Sequence, residues 1–139
     1  MDDNRTVIMN IFRAIEQRDE PRLRELFATD LEMHWPISLP YGGTYKACAP
    51  GRTTWSETWT PLQPTDTERR MDARVIAAAA DDVVVLWHQR GVSPGGERFD
   101  GEVLGLYKLH NGRLSRAQMF YFDEAAAAGF LARAKLEKK

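Results

Sequence analysis

Cysteine is the scarcest chemistry in the chain: one residue of 139, Cys48. A single thiol closes no intrachain disulfide and builds neither a Cys-rich zinc module nor a CxxC redox pair, which points to a reducing, cytoplasmic setting. An excess of one charge is missing as well. Lys and Arg number 19 against 20 Asp and Glu, a net charge of −1, whereas phosphate-contacting nucleic-acid binders concentrate basic residues and usually show it in the total. No apolar run approaches the roughly 18 residues of a membrane span, and the opening MDDNRT lacks the basic and apolar regions of an export signal. Neither nucleic acid nor membrane is therefore an expected partner. Imidazole is scarce too. The three histidines are His34, His88 and His110, and a three-histidine metal site would need all of them although His110 sits beside a turn. Neither metal nor cofactor is expected.

What is present reads as one domain spanning residues 1–139, with a hydrophobic share of 43% and no linker or repeat. Val7, Ile8, Ile11, Phe12 and Ile15 fall on one helical face, with Asp2 or Asp3 as cap. Asp19 caps a second helix that tolerates Pro21 in its first turn. DLEMHWP, residues 30–36, is a short strand stopped by proline. The Pro- and Gly-rich stretch 37–64 is too long for a bare loop, so a third helix is expected around 52–59, with Trp55 and Trp59 at i and i+4. From Glu68 to Phe122, turn signals at Asp81-Asp82, Ser93–Gly96 and Asn111-Gly112 divide Val-, Leu- and aromatic-rich runs into a four-strand antiparallel meander. A last helix follows Asp123, with Lys135, Lys138 and Lys139 at its negative end.

This order predicts an α+β fold: a cone-shaped, curled mixed or antiparallel sheet with helices on its concave face and a pocket inside. The strands carry apolar residues on both faces, in Val83–Trp87, in Val103 to Leu109 and in Met119–Phe122. One face can take the chain's own helices; the other needs a partner, and a homodimer through the outer face is expected, with wrapping by the last helix as the alternative.

Residues 95–123, GGERFDGEVLGLYKLHNGRLSRAQMFYFD, resemble the closing hairpin of the nuclear transport factor 2-like (cystatin-like) superfamily, most closely its SnoaL-like polyketide-cyclase branch. IEQRDEPRLRELFATDLEMHWP, residues 15–36, resembles the same superfamily's start. The resemblance implies the cone fold, frequent dimerisation, and activities that include ketosteroid isomerases, polyketide cyclases, epoxide hydrolases, dehydratases and pure binding proteins. It also implies places for catalytic groups, and this chain departs at each: the base Asp position before the strand-ending proline is Trp35, the helix tyrosine falls near Ile11 or Phe12, the protonated Asp is Gly105, the cyclase Asp is Met119, and the last relay Asp is Phe120.

Strand parity gives the pocket independently. If Gly105 points inward, so do Phe99, Val103 and Tyr107 on its strand, and if Met119 does, so do Ala117 and Tyr121 on the next. With Phe12, Trp35, Trp55, Trp59 and Trp87 they make a mainly apolar lining whose handles are the hydroxyls of Tyr107 and Tyr121, with Trp87 and Gln89 beside them. Such a surface suits a hydrophobic small molecule. His34 is a candidate base, although parity with Trp35 points it away. Asp100 and Glu102 share the outward face and read as ion-paired or solvated. The Leu39–Gly51 loop, with Tyr41 and Tyr45, is expected to cover the mouth, and Arg52 to meet an anion or solvent. Two functions follow: a ligand-binding domain without the family carboxylates, or a cofactor-independent isomerase, cyclase or dehydratase acting on a polyketide- or steroid-like substrate through Tyr107, Tyr121 and His34. An inward carboxylate or imidazole near a pocket tyrosine separates them.

Overall fold

A computed structural model describes residues 3–47 and 50–137; Cys48, Asp2, Lys138 and Lys139 lie outside the described residues. Helix α1 (Asn4–Glu16) starts where the Asp3 carboxylate accepts the Thr6 amide, and Val7, Ile8, Ile11 and Phe12 are buried along its inner face. Burying each such side chain contributes about 1.5–3 kcal/mol, which outweighs the modest propensity cost of the β-branched residues among them. Asp19 caps α2 (Glu20–Leu26) through the Arg22 amide, with Pro21 in the first turn. The helix passes directly into β1 (Phe27–Trp35).

Two elements were not anticipated. Within the stretch read as loop and helix, β2 (Gly43–Lys46) pairs antiparallel with β1, and Tyr41 is buried rather than covering a mouth. The third helix is confined to α3 (Trp55–Trp59), capped by Thr54, and continues as a 3-10 turn over Thr60–Leu62. Next comes α4 (Asp66–Arg69), whose Thr65 and Glu68 form a reciprocal capping box. The first meander strand consequently starts late. The chain turns at Asp72, which takes a left-handed φ of 48°, so β3 covers only Arg74–Ala79, although Met71 still accepts the His88 amide at 2.7 Å.

The other strands are β4 (Asp82–Val92), β5 (Arg98–His110) and β6 (Arg113–Tyr121), and α5 (Glu124–Glu137) closes the chain. Asn111 and Gly112 have φ of 53° and 75°, as the tight type I′ turn between β5 and β6 demands. The open sheet runs β2-β1-β6-β5-β4-β3. β1 and β6 are parallel; the other neighbours are antiparallel. Alternation along β4 and β5 turns Val83, Val85, Trp87, Val103 and Tyr107 inward, beneath α1. The last helix does not wrap the outer face. Its Phe130 stacks on Trp59 and Phe99, 5.9 and 5.3 Å between ring centroids, on the inner side. Ile76, Leu106, Phe120 and Phe122 stay exposed outside, at 49%, 39%, 49% and 63%. No helix among the described residues is long and apolar enough to cross a membrane.

Candidate ligand cavity

Between α1, α2 and α3 on one side and the inner sheet face on the other lies a cavity of about 490 Å³. That volume is in the range of small-molecule sites. Phe12 from α1 meets Tyr107 edge-on at 5.8 Å and Trp87 at 6.0 Å. Trp35 ends β1 and stacks parallel to Trp55 at 6.3 Å, forming an aromatic wall. Trp55 is fixed in turn by its indole donating to Gln89 Oε1 at 2.6 Å. Met33, Ala117 and Met119 complete the sheet side, and Ile11, Ile15 and Leu23 the helix side.

Polar groups at the floor are few. Tyr107 leans back along its own strand so far that a Cβ on Gly105 would sit 2.2 Å from its hydroxyl oxygen; the glycine makes room for the phenol. Burial pushes the Tyr107 phenol well above its ordinary range, and the Trp87 indole beside it pulls the other way. The Trp87 Nε1–H is itself buried without a hydrogen-bond acceptor. Burial likewise raises Tyr41 and Tyr121, whose hydroxyls meet at 2.6 Å while Trp59 Nε1 donates to Tyr41 at 2.9 Å. Phenols held this high stay neutral and act as hydrogen-bond donors, not as bases. The charged residues of the lining are Arg18, Glu20 and Arg69, all from the helical rim. Among the described residues no three of His, Cys, Asp and Glu converge as metal ligands would.

The family model of the SnoaL-like domain matches residues 9–117. The chain belongs to the SnoaL-like family. No curated protein matches its sequence, but solved structures do resemble it in shape. TerC, crystallised with polyporic acid, superposes with a TM-score of 0.72 at 16% identity, over 92% of this chain and 96% of its own. An NTF2-like protein from Burkholderia thailandensis gives 0.71 at 15%, over 97% and 98%. IdmH, a candidate polyketide cyclase from Streptomyces antibioticus, gives 0.64 at 19%, over 90% and 96%. At these identities the likeness establishes the fold.

In this SnoaL-like domain the structure brings Phe12, Trp35, Trp55, Trp87, Tyr107 and Met119 together on the cavity wall. Four residues expected there lie elsewhere. Trp59 and Phe99 pack against Phe130 under α5, Val103 is sealed in the core, and Tyr121 is turned to Tyr41. Trp55 and Trp59 part because α3 is a little over one turn long, so its ends face different neighbours. His34 is on the outer face, between Glu32 Oε1 at 2.5 Å and Thr44 Oγ1 at 3.0 Å, because strand alternation gives the inner face to Met33 and Trp35. It cannot serve the cavity as a base. Asp100 is held outside by His88 at 2.7 Å and Arg90 at 3.0 Å. Tyr45 lines the cavity and carries the Arg52 guanidinium 3.9 Å above its ring.

Sequence reading passed over Arg18 and Arg69. Arg18 occupies the joint between α1 and α2 with a left-handed φ of 57°, and Arg69 ends α4, a helix whose capping box Thr65-Asp66-Thr67-Glu68 was a readable signal.

Proposed function

We propose that this domain binds a hydrophobic, ring-containing small molecule in the cavity and does so without the acid–base carboxylates used by enzymatic relatives. The observation that carries this reading is the floor itself: Trp35 and Met119 line it where those relatives carry carboxylates, and its polar groups are neutral donors. The similarly folded TerC, co-crystallised with polyporic acid, supports it. The test is titration with N-phenyl-1-naphthylamine, a neutral aromatic whose fluorescence rises in apolar sites. Saturable binding is expected, and Ala117→Trp, which fills the cavity, should abolish it; an unsaturable response, or one indifferent to the filled cavity, overturns the reading.

The unpartnered Trp87 N–H beside Tyr107 favours a second reading, since two buried donors can stabilise an oxyanion developing on a substrate carbonyl. On this reading the domain is a cofactor-independent isomerase or cyclase of a polyketide- or steroid-like ketone, as the IdmH likeness suggests. Conversion of a β,γ-unsaturated ketone probe, followed by ultraviolet absorbance and lost in Tyr107→Phe, would support it. No conversion leaves binding alone.

We also infer that a second copy covers the outer sheet face. Leu86, Leu104 and Phe120 lie in register across β4, β5 and β6, flanked by the Glu32–Lys46–Arg116 pairs on one side and the Asp72–Arg90–Asp100 pairs on the other. Both signs on both flanks suit a twofold self-complementary contact. Sedimentation should give a dimer at micromolar concentration that Phe120→Glu converts to monomer; a wild-type monomer refutes it.

A further inference from the structure

Two arginines meet at the rim of the cavity with no acid between them. Arg18 Nη2 donates to Gln63 Oε1 at 2.8 Å, and Arg69 Nε donates to the Gln63 carbonyl at 3.0 Å. One further bond, from Arg69 Nη2 to the Pro64 carbonyl, is long at 3.4 Å. Gln63 is only 4% exposed and is itself anchored by donating to the Arg90 carbonyl at 2.8 Å. It therefore fixes both guanidiniums from the buried side.

The nearby carboxylates are committed elsewhere. Glu16 accepts the Met71 amide at 2.7 Å, Asp19 caps α2, and Glu20, which shares the rim, faces solvent at 81% exposure beside Arg24. Among the described residues no carboxylate lies within ion-pair distance of either Arg18 or Arg69. Partial burial, and then repulsion by Arg69, pull Arg18 below the usual arginine range, although a guanidinium stays protonated in proteins. Arg18 Nε and Nη1 and Arg69 Nη1 have no acceptor among the described residues, and both side chains line the cavity. Like charges held together next to an apolar chamber, with donors to spare, form an arrangement that an oxyanion completes.

We infer that the ligand is an amphipathic anion: an apolar, ring-sized body in the aromatic cavity with a carboxylate-like oxyanion seated between Arg18 and Arg69. This inference rests on the cavity being a binding site, and the probes separate the two claims. N-phenyl-1-naphthylamine and 8-anilinonaphthalene-1-sulfonate share an anilinonaphthalene body and differ in the sulfonate. Wild-type protein should bind the sulfonate about 10-fold more tightly than the neutral amine. Arg69→Gln and Arg18→Gln should each weaken the sulfonate by about 10-fold, the scale of a lost charge-assisted bond, and shift the neutral probe by less than about 2-fold. Arg18→Lys, which keeps the charge and the fold, should retain most of the sulfonate affinity. Equal affinity for the two probes, or sulfonate binding indifferent to both Gln substitutions while the neutral probe still binds, overturns the anion site and spares the cavity. Loss of both probes in wild type overturns the cavity reading and this one with it.

Discussion

Replacing Gly105 with Ala adds one methyl group at the base of the cavity. Its carbon would lie 2.2, 2.3 and 2.4 Å from Oη, Cζ and Cε2 of Tyr107, whereas carbon contacts are comfortable only near 3.5–4.0 Å. Relief requires the ring to move by more than 1 Å. Phe12 stands edge-on against the ring, so the displacement has to go into the cavity that Tyr107 lines and breaks that packing. Overpacking of this kind costs about 1–3 kcal/mol, or about 3–12 °C in Tm for a domain of this size. Urea and thermal denaturation of Gly105→Ala measure it directly. Tyr107→Phe should not rescue the variant, since Cζ and Cε2 remain in the way. Tyr107→Leu removes the clash, so Gly105→Ala should cost far less in that background, with a coupling energy of about 1–2 kcal/mol in a double-mutant cycle. Additive effects, or a Gly105→Ala protein within about 0.5 kcal/mol of wild type, would refute the placement of the phenol over the glycine.

Burial, the largest single effect, raises the Asp100 carboxyl, but the hydrogen bonds and charges of His88 and Arg90 together outweigh it, so its folded value lies below the ordinary one. Its contribution to stability is present above the unfolded pKa of about 3.9 and vanishes as pH falls through the lower folded value; the stability gap between wild type and Asp100→Asn should therefore be full at pH 6 and shrink below pH 4 in urea titrations. Glu68 is buried at 4% exposure and serves both the Thr65 cap and Arg98 at 3.1 Å; Glu68→Ala should cost about 1–3 kcal/mol by denaturation. Spectrophotometric titration should show Tyr41, Tyr107 and Tyr121 ionising above the ordinary tyrosine range of about 10, in step with alkaline unfolding followed by circular dichroism, because burial raises all three.

The meander and its turns were legible because their signals are local. Asn-Gly is the pair that most readily supplies the two positive φ angles of a tight hairpin turn, whereas Val83–Trp87 and Val103–Leu109 are apolar on both faces, so parity groups their residues without saying which group faces inward. The late start of β3 was not legible, since it depends on Asp72 reaching Arg90 across the sheet at 2.8 Å, a partner that residues 70–74 do not announce. β2 was hidden for a related reason: GTYK is too short to show a period, and its pairing with β1 supplies the missing information. Strand parity groups Tyr107 and Met119 on the inner surface, and the structure puts them on the cavity wall with Trp35 and Trp87. Parity does not say how far along the sheet the cavity extends: Phe99 and Val103 share the face of Tyr107, yet Phe99 packs with Trp59 and Phe130 beneath α5 and Val103 is sealed in the core. Arg18 and Arg69 lie 51 residues apart and converge only through Gln63, which belongs to neither helix.

The parallel pairing of β1 with β6 sets an order of events for synthesis and folding. Phe27 faces Leu114 and His34 faces Gln118, partners more than 80 residues downstream. While the first third of the chain leaves the ribosome, β1 and β2 can form only a two-stranded ribbon, which is marginal in water on its own. The meander β3–β6 is contiguous and can assemble first, and the N-terminal third then docks along β6. Such long-range closure slows folding. It also makes the cavity late to appear, because its walls come from both halves. A chain ending before residue 113 should keep hairpin structure, yet it would have neither a seated first strand nor an enclosed chamber.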